Sequence, residues 1–222
     1  DVLAEQGEIQ QRVRQAINTV IPGLYCPTRR PARGHAPNAA WVSLQCGGTV
    51  PLSGNIQAAQ TDYASCASEG SFDGVGGERA GAVTYTDCVP GTRRCFGLEG
   101  IQDGTANVIL FAEKRLNMRK VQNYQGDDNE GWLSGWDHDV MRYCTRVPLP
   151  DGTTGDGEGR FGSSHPASFN VVMCDGAVKS FSYKIEAVNV AKWPNDTGAS
   201  PFNQTLFNRL GNRFDRLPAE PQ

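Results

Sequence analysis

The dipeptide Asp175-Gly176 lies between two runs of strand-forming residues, Phe169-Asn170-Val171-Val172-Met173-Cys174 and Ala177-Val178-Lys179-Ser180-Phe181-Ser182. Asp tolerates and Gly freely adopts the positive φ of a tight turn, so the two runs fold back on each other as antiparallel strands. Read as a two-residue loop, the turn sets Cys174 against Ala177 and Met173 against Val178. Segment 169–182 is thereby excluded from helix, and also from neighbouring strands of a parallel sheet, which need a long crossover between them.

The remaining elements are placed around this hairpin. Thr105 to Lys114 contains the continuous apolar run Val108-Ile109-Leu110-Phe111-Ala112, which has strand length and predicts a strand buried on both faces at the centre of the core. From Ala4 to Val20 the residues Ile9, Val13, Ala16, Ile17 and Val20 recur at three- and four-residue spacing, with Glu5 and Glu8 early and Arg12 and Arg14 later. That is an amphipathic helix that must stop before Pro22. Near the other end, Ser200 caps and Pro201 opens a helix with Phe202, Leu206 and Leu210 on one face and Gly211 at its close. Residues 27–100 carry only short apolar pieces among Gly, Ser, Thr and Cys and read as loops and short strands, and residues 150–160 form an exposed Gly/Asp loop. The fold class is α+β: an N-terminal amphipathic helix, an antiparallel β-sheet with long disulfide-tied loops, and a short C-terminal helix. We read residues 1–222 as a single domain with a loop-rich region at 27–100 and a sheet core at 101–190.

Charge and cysteine content narrow the setting. A net charge of −3, with basic residues scattered rather than striped, offers no positive field for a phosphate backbone, so nucleic acid is excluded as a partner. The chain carries no apolar run of membrane-spanning length and no charged start followed by an apolar stretch, so an export signal is expected to have been removed or to lie upstream of Asp1. Seven cysteines occur without any C-x-x-C spacing, a pattern that favours disulfides in an oxidising compartment over a metal site. Cys88 and Cys95 bracket a turn-rich segment and form the expected local bridge. Cys26, Cys46, Cys66 and Cys144 supply further partners that sequence does not assign, and Cys174, in an apolar strand, is the expected leftover thiol. The competing reading is a cytosolic protein with unpaired thiols throughout.

Asp127, Asp128, Asn129 and Glu130, followed by Asp137 and Asp139, concentrate hard oxygen ligands on one loop segment, which is the preference of calcium, although the EF-hand spacing is absent. Trp132 and Trp136 in the same segment present flat aromatic faces beside carboxylates and could bind a glycan; the alternative is that they anchor the loop. His165 invites a catalytic reading, but Ser163 and Ser164 stand in F-G-S-S-H rather than G-x-S-x-G, so His165 is assigned a structural bond across the base of the hairpin. Glu113 ends the apolar strand and should pair with Arg142 or with His165 unless it emerges into water beside Lys114 and Arg115. No catalytic residue is assigned, and the chain is read as a non-enzyme.

Taken in order along the chain, six pieces resemble one family. They are the I-P-x-x-x-C-P-T-R-R entry from Ile21 to Arg30, Thr61-Asp62-Tyr63-Ala64, and Asp103-Gly104-Thr105-Ala106-Asn107 leading to Glu113-Lys114. Then come Asp127-Asp128-Asn129-Glu130-Gly131-Trp132, the H-x(9)-D-G signature from His165 to Asp175-Gly176, and Arg209-Leu210-Gly211-Asn212-Arg213. The chain resembles the planctomycetal prepilin-like proteins grouped as domain of unknown function 1559, also labelled solute-binding protein family 10. The resemblance covers the C-terminal body of that family, without its leader and spine helix. It makes Asn107, Glu113, His165, Asp175 and Gly176 structural motif residues. It implies a pilin- or pseudopilin-like fold and an extracytoplasmic, cell-surface or secreted location. The partners it implies are other pilin-like subunits or secretion components, with membrane contact only through the N-terminal helix that is not part of this sequence. Secretion pseudopilins order a C-terminal loop with calcium, which adds to the case for that ion. The alternative role is an extracytoplasmic module for a solute or glycan.

Overall fold

The computed structural model describes residues 2–35, 41–44, 48–51, 56–67, 81–83, 96–123, 125–135, 137–157, 159–187 and 205–213. Helix α1 runs Val2–Asn18, and the chain then turns through a short 3-10 segment at Pro22–Leu24. Among its described side chains only the C-terminal end of α1 is docked: Ile17 is buried with Val13 beside it against Ile56 and Ala58, whereas Ile9 is 50% exposed. The apolar stripe read from the sequence is therefore covered over part of its length. No helix among the described residues is long and apolar enough to cross a membrane.

Two sheets follow. Strands β1 (Trp41–Leu44) and β2 (Gly48–Pro51) make a small antiparallel pair. The main sheet has five strands in the order β5-β3-β4-β6-β7: β3 is Tyr63–Cys66, β4 Ile109–Glu113, β5 Met141–Arg142, β6 Ser168–Met173 and β7 Val178–Ser182. Strand β5 lies parallel to β3 while the other pairings are antiparallel, so the sheet is mixed rather than antiparallel throughout. The core boundary expected at residue 101 also moves. Strand β3 comes from the stretch read as loops and short strands, and its four residues are too short to raise a periodic signal that would place it.

The Asp175-Gly176 turn does join two antiparallel strands, but one residue out of the expected register. Val172 stands opposite Val178, the Met173 amide donates to the Ala177 carbonyl, and the Gly176 amide donates to the Met173 carbonyl. Cys174, Asp175 and Gly176 thus form a three-residue loop in which Gly176, at φ 86°, takes the left-handed position. The slip decides which face each side chain occupies. Phe169, Val171 and Met173 point into the core, and Val172 and Val178 point the other way.

The core lies on the face formed by Ala64, Cys66, Ile109, Ala112, Phe169, Val171 and Met173. It is closed by Phe161 and by helix α2 (Leu206–Leu210), whose Phe207 meets Phe161 and Phe169 edge-on with ring centres 6.3 and 5.9 Å away. Thr205 precedes this helix, and the expected start at Ser200, Pro201 and Phe202 lies outside the described residues. Gly211 ends α2 for a packing reason, since a Cβ there would sit 2.4 Å from the Cys144 Cβ. Strand β4 is not buried on both faces as expected: its register shifts between Ile109 and Phe111, and Phe111 is 43% exposed. Asn107 braces the entry to β4 by donating its side-chain amide to the Asp103 carbonyl.

The disulfide expectation also changes. Cys26, Cys66, Cys144 and Cys174 are all buried free thiols. Cys66 and Cys144 face each other with 3.4 Å between sulfurs, while Cys46, Cys88 and Cys95 lie outside the described residues. Cys174 is a buried thiol at the start of the hairpin loop.

Candidate functional site

The segment that follows Pro22–Leu24 is held against the sheet by buried charge. The Cys26 amide donates to Asp62 Oδ2 at 2.7 Å. Arg29 pairs with Asp151 at 2.8 Å and with Asp62 at 3.3 Å, and its guanidinium also donates to the Lys114 carbonyl. Arg30 bridges Asp62 at 2.9 Å to Asp128, and the Lys114 ammonium completes the chain at 2.8 Å from Asp128. Three acids and three bases thus alternate out of contact with water, each charge neutralised by a neighbour, which is the condition under which full burial is tolerated. Beside it Arg142 pairs with Asp127 at 3.0 Å and donates to the Arg160 carbonyl, so Arg142 is not the partner of Glu113.

Glu113 instead faces His165, with Oε1 3.3 Å from Nε2, while its Oε2 accepts the Asn170 amide at 2.7 Å. This carboxylate is 1% exposed, so the reading in which it emerges into water fails. The His165 ring faces Glu113 at the end of β4, and its own amide donates to Ser163 Oγ. The register explains the meeting: Glu113 pairs across the ladder with Tyr63 and stands on the sheet face opposite the core, where Leu24 to Cys26 passes. Cys26 thereby joins the pair. One ligand atom from each of Cys26, Glu113 and His165 lies within 4.8 Å of the others, the one such cluster of metal-ligating side chains among the described residues.

The acidic segment does not converge in this way. Asp128 and Asp127 are committed to Arg30, Lys114 and Arg142. Asp139 accepts the amides of Asn129, Glu130 and Gly131, which folds the segment around one buried carboxylate. Burial, with the charges of Asp137 and Asp139 added, pushes the Glu130 carboxyl up to about 8. Burial likewise raises Asp139 to about 7, with Lys114 opposing and Asp128 and Asp137 reinforcing the shift, and burial raises Asp137 as well. Calcium takes six to eight oxygen ligands. Of the residues assigned to it, Asp128 and Asp139 spend both oxygens on protein donors and Asp127 gives Oδ2 to Arg142 while its Oδ1 is buried without a hydrogen-bond partner, and among the described residues these acids do not converge on a common point.

Trp132 links α1 to this segment, its indole N–H donating to the Thr19 carbonyl and its amide to the Ala59 carbonyl. It also lines a cleft of about 690 Å³ on the open sheet face with Leu24, Tyr63, Phe111, Val172 and Val178. Trp136 lies outside the described residues.

The sequence reading placed Cys26, Arg29, Arg30 and Asp62 in pieces that resemble the family and took Cys26 as an unassigned disulfide partner, but gave none of them a part in a site. The available signal was the adjacency of a cysteine and two arginines after a proline-bounded turn. Against known proteins, residues 3–187 match the family model SBP_bac_10, described as "Protein of unknown function (DUF1559)". No curated protein and no solved structure matches the chain.

Proposed function

Because the chain belongs to the DUF1559 family, we propose that it works outside the cytoplasm as a non-enzymatic assembly protein of the pilin or pseudopilin type, in a surface appendage or secretion system. The observation that carries this reading is the open face of the main sheet. Phe111 is 43% and Val178 71% exposed, and together with Leu24, Tyr63 and Val172 they line an apolar cleft. A contiguous apolar surface of this kind marks an interaction site, and its groove shape suits the apolar side of a helix contributed by another pilin-like subunit. The test is a Phe111→Asp, Val178→Asp double variant of the natural gene product in its own host. It should keep the wild-type melting temperature and fail to co-purify with the appendage or secretion complex. Normal assembly by that variant, or a wild type that never enters a fibre or complex, refutes the proposal.

The facing thiols of Cys66 and Cys144 support the location. A disulfide needs its sulfurs about 2.05 Å apart, and the 3.4 Å separation is within reach of a small side-chain adjustment. Intact mass of thiol-blocked protein from native cells, before and after reduction, should reveal this bridge; two free thiols in that material count against export. The second reading, a solute- or glycan-binding module, is favoured by Trp132 on the wall of the same cleft. A thermal-shift screen that finds a specific stabilising ligand, lost on Trp132→Ala, would select it over the assembly role.

A further inference from the structure

We propose that Cys26, Glu113 and His165 form a binding site for one divalent transition metal, with Zn²⁺ the best match to a thiolate, carboxylate and imidazole set. The inference is independent of the assembly role. In a tetrahedral zinc site with bonds of about 2.0 Å to nitrogen and oxygen and about 2.3 Å to sulfur, the ligand atoms stand roughly 3.3–3.7 Å apart. His165 Nε2 and Glu113 Oε1 are already 3.3 Å apart. The Cys26 sulfur lies within 4.8 Å of its partners, a gap that metal binding would narrow.

Charge leads to the same conclusion. Glu113 is buried, and among the described residues its one ion-pair partner is His165, whose side chain is 34% exposed. The nearby arginines and Lys114 are engaged with Asp62, Asp128 and Asp151. A divalent ion bound by one thiolate, one carboxylate and a neutral imidazole makes the set neutral and removes the cost of a buried carboxylate without a fixed cation. The His165 side chain is 34% exposed, so water could reach the ion and complete the shell.

A thiol nucleophile with a His-Glu relay fits the geometry less well. In a relay the acid and the nucleophile lie on opposite sides of the imidazole, more than about 6 Å apart, whereas here the Glu113 and Cys26 ligand atoms lie within 4.8 Å of each other. Bound metal would tie three separate pieces together: the Cys26 segment, the end of β4 and the approach to β6.

Cobalt titration of the chelator-stripped, reduced chain provides the test. The wild type should bind one Co²⁺ with tetrahedral d–d absorption and a thiolate-to-cobalt charge-transfer band, and Zn²⁺ should displace it. Cys26→Ser should lose the charge-transfer band, and His165→Gln should bind at least tenfold more weakly. Because Glu113→Gln could unfold the protein, His165→Gln is the decisive variant: its ring is partly exposed, and circular dichroism should show an intact fold. A wild type without the charge-transfer band overturns the proposal, as does a Cys26→Ser or His165→Gln variant with the wild-type spectrum and affinity, which would place the ion on other cysteines.

Discussion

Replacing Asp128 by Asn should be among the most damaging single changes in the molecule. Its carboxylate receives Lys114 at 2.8 Å on Oδ1 and Arg30 on Oδ2, and all three side chains are at most 2% exposed. An amide of the same shape can still accept from one cation but turns an N–H₂ toward the other, leaving a buried charge unneutralised. Loss of one partner from such a group costs about 3–5 kcal/mol. For a chain of this size each kcal/mol lowers the melting temperature by about 2–4 °C, so the expected drop is roughly 6–20 °C by calorimetry. The half-exposed pair Lys120–Asp156, also 2.8 Å long, is the internal control. Lys120→Ala should cost less than about 1 kcal/mol, because water screens that pair. The pH response supplies a second signature. Burial alone would raise the Asp128 pKa, but Arg30 and Lys114 outweigh it and hold the carboxyl below its ordinary value. A depressed folded pKa contributes stability that is present above the unfolded value near 4 and is lost as pH falls through the folded one. Wild type should therefore lose its advantage over Asp128→Asn in strong acid. An Asp128→Asn protein that melts within 2 °C or so of wild type at neutral pH would refute the claim that burial, rather than distance alone, makes this network matter.

Three further outcomes follow from the structure. Glu130 and Asp139, raised to about 8 and about 7, keep protons in the folded state that the unfolded chain releases near pH 4. Stability should accordingly fall as pH rises from about 4 to about 8 and then level off, and Glu130→Gln should flatten the alkaline end of that slope in a series of melts. Gly211→Ala would drive a methyl group into Cys144, 2.4 Å away, and should cost about 1–3 kcal/mol in urea unfolding; a neutral result would mean that α2 can shift freely. Millimolar calcium should leave the melting temperature of chelator-treated protein unchanged, because Asp128 and Asp139 already give both their oxygens to protein donors and Asp127 holds Arg142. A saturable upward shift would reverse that reading.

Local chemistry was legible in advance. The hairpin at Asp175-Gly176 could be read because Gly tolerates the left-handed turn conformation whatever surrounds it, and its loop length was misread because the same dipeptide suits two loop types. The two-residue β5 and the four-residue β3 could not be placed, since strands so short carry no period of their own and exist only where a neighbour supplies hydrogen bonds. The Glu113–His165 contact was among the partners the sequence allowed, because an acid ending an apolar strand must find a donor.

By itself, then, the sequence determined the α+β class, the family and the residues whose conformation or burial permits few choices. Only the tertiary structure decided that Cys26 meets Glu113 and His165, that Asp127 and Asp128 face buried cations, and that Phe111 and Val178 stay uncovered. The physical reason is distance along the chain. Turn and strand preferences act between neighbours, whereas ion pairs, metal-ligand clusters and open faces join residues tens of positions apart, and their partners are chosen by the sheet register.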